Sequence, residues 1–95
     1  MIKQLRFIPF ILREIEDIDH IFAMDILMYL YKKRSGSVYE EIFRFFYNKT
    51  RLFVWETLMR LTENDFIINS KDCNSFIISS KGIEKVEIAN ACLKL

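Results

Sequence analysis

Basic and hydroxyl side chains cluster at residues 49–57, around the start of a predicted helix. An arginine fork fits a guanine edge or a phosphate, and a lysine ammonium suits a phosphate. Threonine can contact base edges or a thymine methyl group. We therefore interpret this cluster as a surface able to bind DNA, and its members are Lys49, Thr50, Arg51, Phe53 and Thr57.

Neighbouring segments supply further basic residues that are predicted to hold the nucleic-acid backbone: Arg44, Arg60 and Lys71. The alternative is that all these charges are simply solvated at helix ends. Glu56 argues against DNA, because a carboxylate at this place repels phosphate. We expect Trp55 to pack partly in the core against the preceding helix. For Phe53, both a core position and a surface position stay open.

Helical periodicity predicts the elements that position the cluster. A helix over residues 18–33 is apolar on two faces, so it must be covered on two faces. Ser37 and Glu40 have the spacing of a capping box, which predicts that a second helix opens at Ser37. Asn48 or Thr50 can cap a third helix that runs to about Glu63. Its inward stripe is predicted to be Val54, Leu58 and Leu61.

Strand signals follow the third helix. Residues 66–70 and 75–79 predict a hairpin with a turn over 71–74, and Ser80 is expected to cap a last helix over residues 81–93. Near the N-terminus we expect an extended lead and then a helical stretch from about Phe10. Asp17 or Asp19 ends that stretch or begins the next helix. The predicted fold class is mainly α with a small β-hairpin (α+β).

Two segments carry a resemblance to a known family. They are Leu58-Met-Arg-Leu61-Thr-Glu-Asn-Asp65-Phe66-Ile67 and Phe76-Ile-Ile-Ser-Ser-Lys81-Gly82-Ile-Glu84. Together they resemble the winged helix-turn-helix regulators of the PadR and MarR type, in which a Leu-x-x-Leu run leads into a Gly-Leu-Ile step and a Ser-x-x-Gly step enters the last helix. Asp65 replaces the usual Gly, and Asn64 or Asp65 can adopt a left-handed backbone less readily than Gly.

The resemblance implies a dimeric transcriptional regulator whose third helix enters the major groove of double-stranded DNA. It divides one winged-helix domain (1–95) into an N-terminal extension (1–17), the helix-turn-helix and wing (18–80) and a C-terminal helix (81–95). The aromatic content exceeds what one small core hides, which also favours a homodimer. The residues expected at its interface are Ile8, Phe10, Met24, Met28, Tyr31, Val86 and Leu93.

Composition bounds the remaining possibilities. The formal net charge of +1 means that DNA binding depends on the placement of charges and not on their sum. The spacing of the single histidine and two cysteines suits neither a metal site nor a disulfide framework. We predict a cytoplasmic protein without a membrane span, metal, cofactor or enzymatic activity, and the sequence identifies no effector. The rival hypothesis is a winged-helix protein-interaction module within a larger complex.

Overall fold

Four helices and three strands pack around one apolar core in the computed structural model, which describes residues 11–70 and 74–93. In chain order they are α1 (His20–Lys32), β1 (Ser37–Val38), α2 (Tyr39–Phe45), α3 (Arg51–Glu63), β2 (Ile67–Ser70), β3 (Ser75–Ile78) and α4 (Ser80–Leu93). The antiparallel sheet has the order β1-β3-β2. The predicted α+β class is confirmed, and the hairpin gains a third strand that the sequence reasoning missed.

Helix α1 lies at the centre of the fold. Asp19 begins it, because its carboxylate accepts a hydrogen bond from the Phe22 amide at 3.0 Å. The helix packs against α3, α4 and β3. Of the two apolar faces predicted for it, the second is only partly covered, because Ile21 is 45% exposed. Met24 and Val86 are each only 1% exposed within the single chain, so the prediction that they face a second copy is wrong.

The segment before α1 closes one side of the core. Leu12 and Ile15 are buried. Ile11 is helical and residues 12–14 form a turn, so the predicted helical stretch ends well before Asp17. The Ile15 amide donates to the Leu12 carbonyl at 3.1 Å, which closes that turn. An ion pair of 3.1 Å between Glu14 and Lys85 ties the segment to α4.

Helix α2 begins one residue later than the sequence predicted, because its N-cap is Val38 and not Ser37. Ser37 and Val38 are extended and form β1, which pairs with Phe76 and Ser75 of β3. Ser37 is only 2% exposed. Ser37, which the local pattern predicts as a helix cap, is therefore part of the sheet instead.

The carboxylate that caps α2 is Glu41, and the predicted pairing of Ser37 with Glu40 is wrong. Glu41 accepts hydrogen bonds from the Val38 amide at 3.2 Å and from the Ser37 hydroxyl at 3.3 Å. A glutamate at this position satisfies an amide that the helix itself leaves without a partner. Glu40, one residue earlier, is directed toward α3 instead.

The turn from α3 into the hairpin uses a left-handed residue. Asp65 has φ of +64°, and the following Phe66 amide donates to the Leu61 carbonyl at 3.0 Å. Aspartate tolerates this backbone better than most residues other than glycine. Of the two residues that the sequence offered for a left-handed backbone, Asn64 and Asp65, it is Asp65 that adopts it.

The entry into α4 depends on Ser79 and Gly82. The Ser79 hydroxyl accepts a hydrogen bond from the Gly82 amide at 3.1 Å, so the cap is Ser79 and the prediction of Ser80 is off by one residue. A Cβ atom on residue 82 would collide with the backbone carbonyl oxygen of Phe66. Only glycine lets the start of α4 approach the sheet so closely.

Candidate nucleic-acid interface

The first turn of α3 is anchored by its cap and by one apolar face. The Thr50 hydroxyl accepts a hydrogen bond from the Phe53 amide at 3.2 Å, which confirms one of the two predicted caps. Val54, Leu58 and Leu61 are fully buried, as predicted from their spacing. The opposite face of α3 is therefore left at the surface of the chain.

Arg51 stands on that exposed face and is held by Glu40 of α2. The two guanidinium nitrogens Nη1 and Nη2 donate to the two carboxylate oxygens at 3.0 and 3.2 Å. The guanidinium carbon lies 4.1 Å from the centre of the Phe43 ring. The hydrogen bond from Arg51 lowers the pKa of the Glu40 carboxyl, so both groups are charged at neutral pH. These contacts hold the planar guanidinium of Arg51 in one orientation, and the side chain is 55% exposed.

Lys49 lies just before α3, over aromatic rings. Its ammonium is 5.4 Å from the centre of the Phe22 ring and 5.8 Å from that of Phe53. These contacts are cation–π interactions, which hold the charge at a defined position. Lys49 is half-buried, so it can present its ammonium to a ligand only from one side.

Two of the predicted contact residues are partly or fully buried. The Phe53 ring is half-buried and stacks on Phe22, with centroids 5.0 Å apart and planes 20° apart. Thr57 is only 3% exposed, and its hydroxyl donates to the Phe53 carbonyl at 2.9 Å. The prediction of Thr57 as an outward DNA contact is wrong, because the helical phase places it beside the buried stripe. Phe53, which the sequence left open between core and surface, lies at the border between the two.

Trp55 packs where the sequence reasoning preferred it. Its ring meets Tyr39 of α2 edge to face at 5.4 Å, and it meets Phe76 of the sheet at 6.3 Å. The side chain is still 36% exposed, so it forms the border between the core and the outer face of α3.

The charges of α2 and α3 balance. Residues 39–63 carry four basic side chains and four carboxylates: Arg44, Lys49, Arg51 and Arg60 against Glu40, Glu41, Glu56 and Glu63. Arg44 and Arg60 are both exposed. Arg60 lines a cleft of about 320 Å³ that it shares with Glu56, Asp17 and Asp19, so acidic groups surround it. The surface potential is therefore mixed, and no wide basic stripe runs along these two helices.

Large apolar side chains also lie at this surface, and the sequence reasoning missed them. Leu52 on the first turn of α3 is 67% exposed, and Tyr47 in the connection before it is 81% exposed. The signal for Leu52 was present, because it falls outside the spacing of the buried stripe. Exposed apolar side chains of this size often contact a partner molecule.

The structure describes only some of the remaining predicted residues, most of which were expected at the dimer interface. Met28 and Tyr31 of α1 are half-buried, and the Tyr31 hydroxyl donates to Glu87 of α4 at 3.5 Å. Ile8, Phe10, Lys71 and the side chain of Leu93 lie outside the described residues. The dimer surface stays a prediction.

Metal and membrane chemistry find no support in residues 11–70 and 74–93. No group of three or more His, Cys, Asp or Glu side chains in these ranges could hold a metal ion. The Nε2 atom of His20 lies 2.6 Å from the Ile15 carbonyl oxygen and serves the turn before α1. None of the described helices is long and apolar enough to cross a bilayer.

Comparison with known proteins gives no relative. The chain matches no protein-family model, no curated protein and no solved structure.

Proposed function

We propose that this chain is a winged helix-turn-helix protein that binds double-stranded DNA through the start of α3 and acts as a dimeric transcriptional regulator. The order helix, strand, helix, helix, hairpin supports this proposal, as does the short connection over residues 46–50 between α2 and α3. In such units the second helix of the pair enters the major groove and its first residues meet the bases.

The observation that carries the proposal is the exposed fork of Arg51 on the first turn of α3. An ion pair between exposed groups is weak, so Glu40 is readily replaced by a stronger acceptor. A phosphate or the O6/N7 edge of guanine offers the same two-acceptor geometry as a carboxylate. Lys49 and Arg44 then lie close enough in sequence to hold the backbone on either side of the connection.

The test is duplex binding measured by fluorescence anisotropy, with a randomised duplex at low salt. Wild-type affinity should fall steeply as salt rises, because binding releases counterions. Arg51→Ala should weaken binding at least fivefold and reduce the salt slope by about one. The matched control is Arg34→Ala, which removes an exposed arginine in the connection between α1 and β1. Equal affinities for the two variants, or no binding at low salt, would end the proposal.

The protein-interaction module is the second candidate, and exposed Leu52 and Tyr47 favour it. The balanced charge of α2 and α3 points the same way, because it gives DNA little long-range attraction. Leu52→Ser separates the two functions. A module that binds protein through this face loses its partner with this change, whereas the DNA contact of Arg51 is unaffected by it.

A further inference from the structure

A cleft of about 480 Å³ lies between α1 and the end of α2, and Arg51 is not among its lining residues. Three aromatic rings line it, those of Tyr29, Phe45 and Phe46. Their centroids are 4.6 Å apart for Tyr29 and Phe45, and 4.9 Å apart for Phe45 and Phe46. Phe45 is 61% exposed, so the cleft offers a wide apolar wall to solvent.

Charged groups stand at the two ends of this cleft. Lys32 and Lys33 line it where α1 ends, and the Lys33 ammonium lies 5.2 Å from the centre of the Tyr29 ring. Glu41 approaches Lys33 only to 3.9 Å, a weak pairing at an exposed position. Asp25 lines the other end, seven residues earlier, which is about 10 Å along the helix axis.

We propose that this cleft binds an elongated aromatic carboxylate: its flat body packs against the exposed Phe45 ring beside the inclined rings of Tyr29 and Phe46, its carboxylate meets Lys32 and Lys33, and a hydrogen-bond donor at its far end meets Asp25. The volume is within the range of about 300–1,000 Å³ that holds small molecules, and it is too small for a folded partner. Two ammonium groups outweigh the partial negative charge of the last turn of α1. Apolar walls with a few polar groups at defined ends are the usual form of such sites.

The inference does not depend on DNA binding. None of the residues that line the cleft belongs to the first turn of α3, and the ligand is detected directly. A failure to bind duplex DNA would leave this proposal standing, and the reverse also holds.

The first experiment is calorimetric titration of the full chain with 4′-hydroxybiphenyl-4-carboxylate. We expect saturable binding of one molecule per chain with a dissociation constant below about 1 mM. The corresponding carboxamide, which has the same shape without the charge, should bind about tenfold more weakly. Equal binding of acid and amide, or no saturation, overturns the proposal.

The lysines are tested with charge-removing variants. Lys32→Gln and Lys33→Gln should each weaken binding of the acid, and the pair together should do so about tenfold, with little effect on the amide. The control is Arg34→Gln, which removes the next basic side chain in sequence and lies outside the cleft. An equal loss in the control would show that binding follows net charge, and the assignment of the cleft would fail.

The aromatic wall and the far end are tested in the same way. Phe45→Ala should weaken both acid and amide, whereas Tyr47→Ala, which removes a more exposed ring outside the cleft, should weaken neither. Biphenyl-4-carboxylate lacks the hydrogen-bond donor, so it should bind wild type less tightly than 4′-hydroxybiphenyl-4-carboxylate does. The two acids should bind Asp25→Ala with equal affinity. The same loss for Phe45→Ala and Tyr47→Ala would indicate unspecific adsorption to exposed rings and would overturn the proposal. Circular dichroism checks that each exposed-site variant keeps its fold.

Discussion

The two ends of α2 present opposite kinds of surface. At its first turn the charges are matched, because the Glu40 carboxylate meets both outer nitrogens of Arg51. At its last residue an exposed aromatic ring, Phe45, lies against Tyr29 in a cleft that ends in two lysines. A helix of seven residues thus separates a polar, charge-balanced face from an apolar, positively charged one.

Both surfaces are supported from behind by the same ring. Phe22 of α1 packs edge to face on Phe46 at 5.2 Å and stacks on Phe53 at 5.0 Å. Phe46 belongs to the cleft, and Phe53 belongs to the first turn of α3. The difference between the two surfaces therefore comes from their outer side chains, since their inner support is shared.

The largest effect is expected from removal of this shared support. Phe22 is 2% exposed, and Phe22→Ala should cost about 3–5 kcal/mol of the free energy of unfolding through lost burial and a cavity. Urea unfolding followed by circular dichroism measures the change. The adjacent Ile21, 45% exposed, is the control, and Ile21→Ala should stay within about 0.5 kcal/mol. Equal midpoints for both variants would show that the ring supports neither surface.

The next largest effect should be confined to the surface around Glu40 and Arg51. Thr50→Ala removes the cap of α3 and should cost about 1 kcal/mol, whereas Thr50→Ser should keep most of the stability. Hydrogen exchange of the amides in the first turn of α3 should become faster. Binding of the aromatic acid to the cleft should not change. A parallel loss of ligand affinity would mean that the two surfaces are coupled and not merely neighbours.

Local signals were enough to predict much of this arrangement. The helix from Arg51 to Glu63 follows from a threonine cap and a regular apolar stripe, both contained in the segment itself. Thr57 could also have been placed correctly, because it lies three residues after buried Val54 on the same face. Its assignment as an outward contact gave more weight to side-chain chemistry than to helical phase.

Other features depend on contacts far along the chain. Ser37 has the pattern of a helix cap, yet it pairs with Phe76 of β3, and no local pattern contains that partner. The salt bridge of Glu40 with Arg51 requires the angle between α2 and α3. The cleft requires α1 to meet the end of α2. Residue types suggested a basic surface, but only the packing shows which charges are already matched.

The smallest effect concerns two carboxyls, Asp25 of α1 in the cleft and Glu40 of α2 beside Arg51, whose pKa values should be shifted in opposite directions. Burial raises the pKa of Asp25, the neighbouring Asp19 raises it further, and Lys49 opposes both. The hydrogen bond from Arg51 lowers the pKa of Glu40. A pH titration of the side-chain carboxyl carbons by NMR should therefore place the midpoint of Asp25 above its usual value and that of Glu40 below it.

The two shifts have opposite consequences for stability. The folded state holds a proton on Asp25 more tightly than the unfolded state, so stability falls as pH rises from the ordinary pKa of 3.8 to the raised one. For Glu40 the stabilisation is present above the ordinary pKa of 4.5 and is lost as pH falls through the lowered one. Asp25→Asn should remove the first slope and Glu40→Gln the second. Identical pH profiles of urea unfolding for the two variants would mean that the cleft at Asp25 and the surface at Glu40 do not differ in their electrostatic environment.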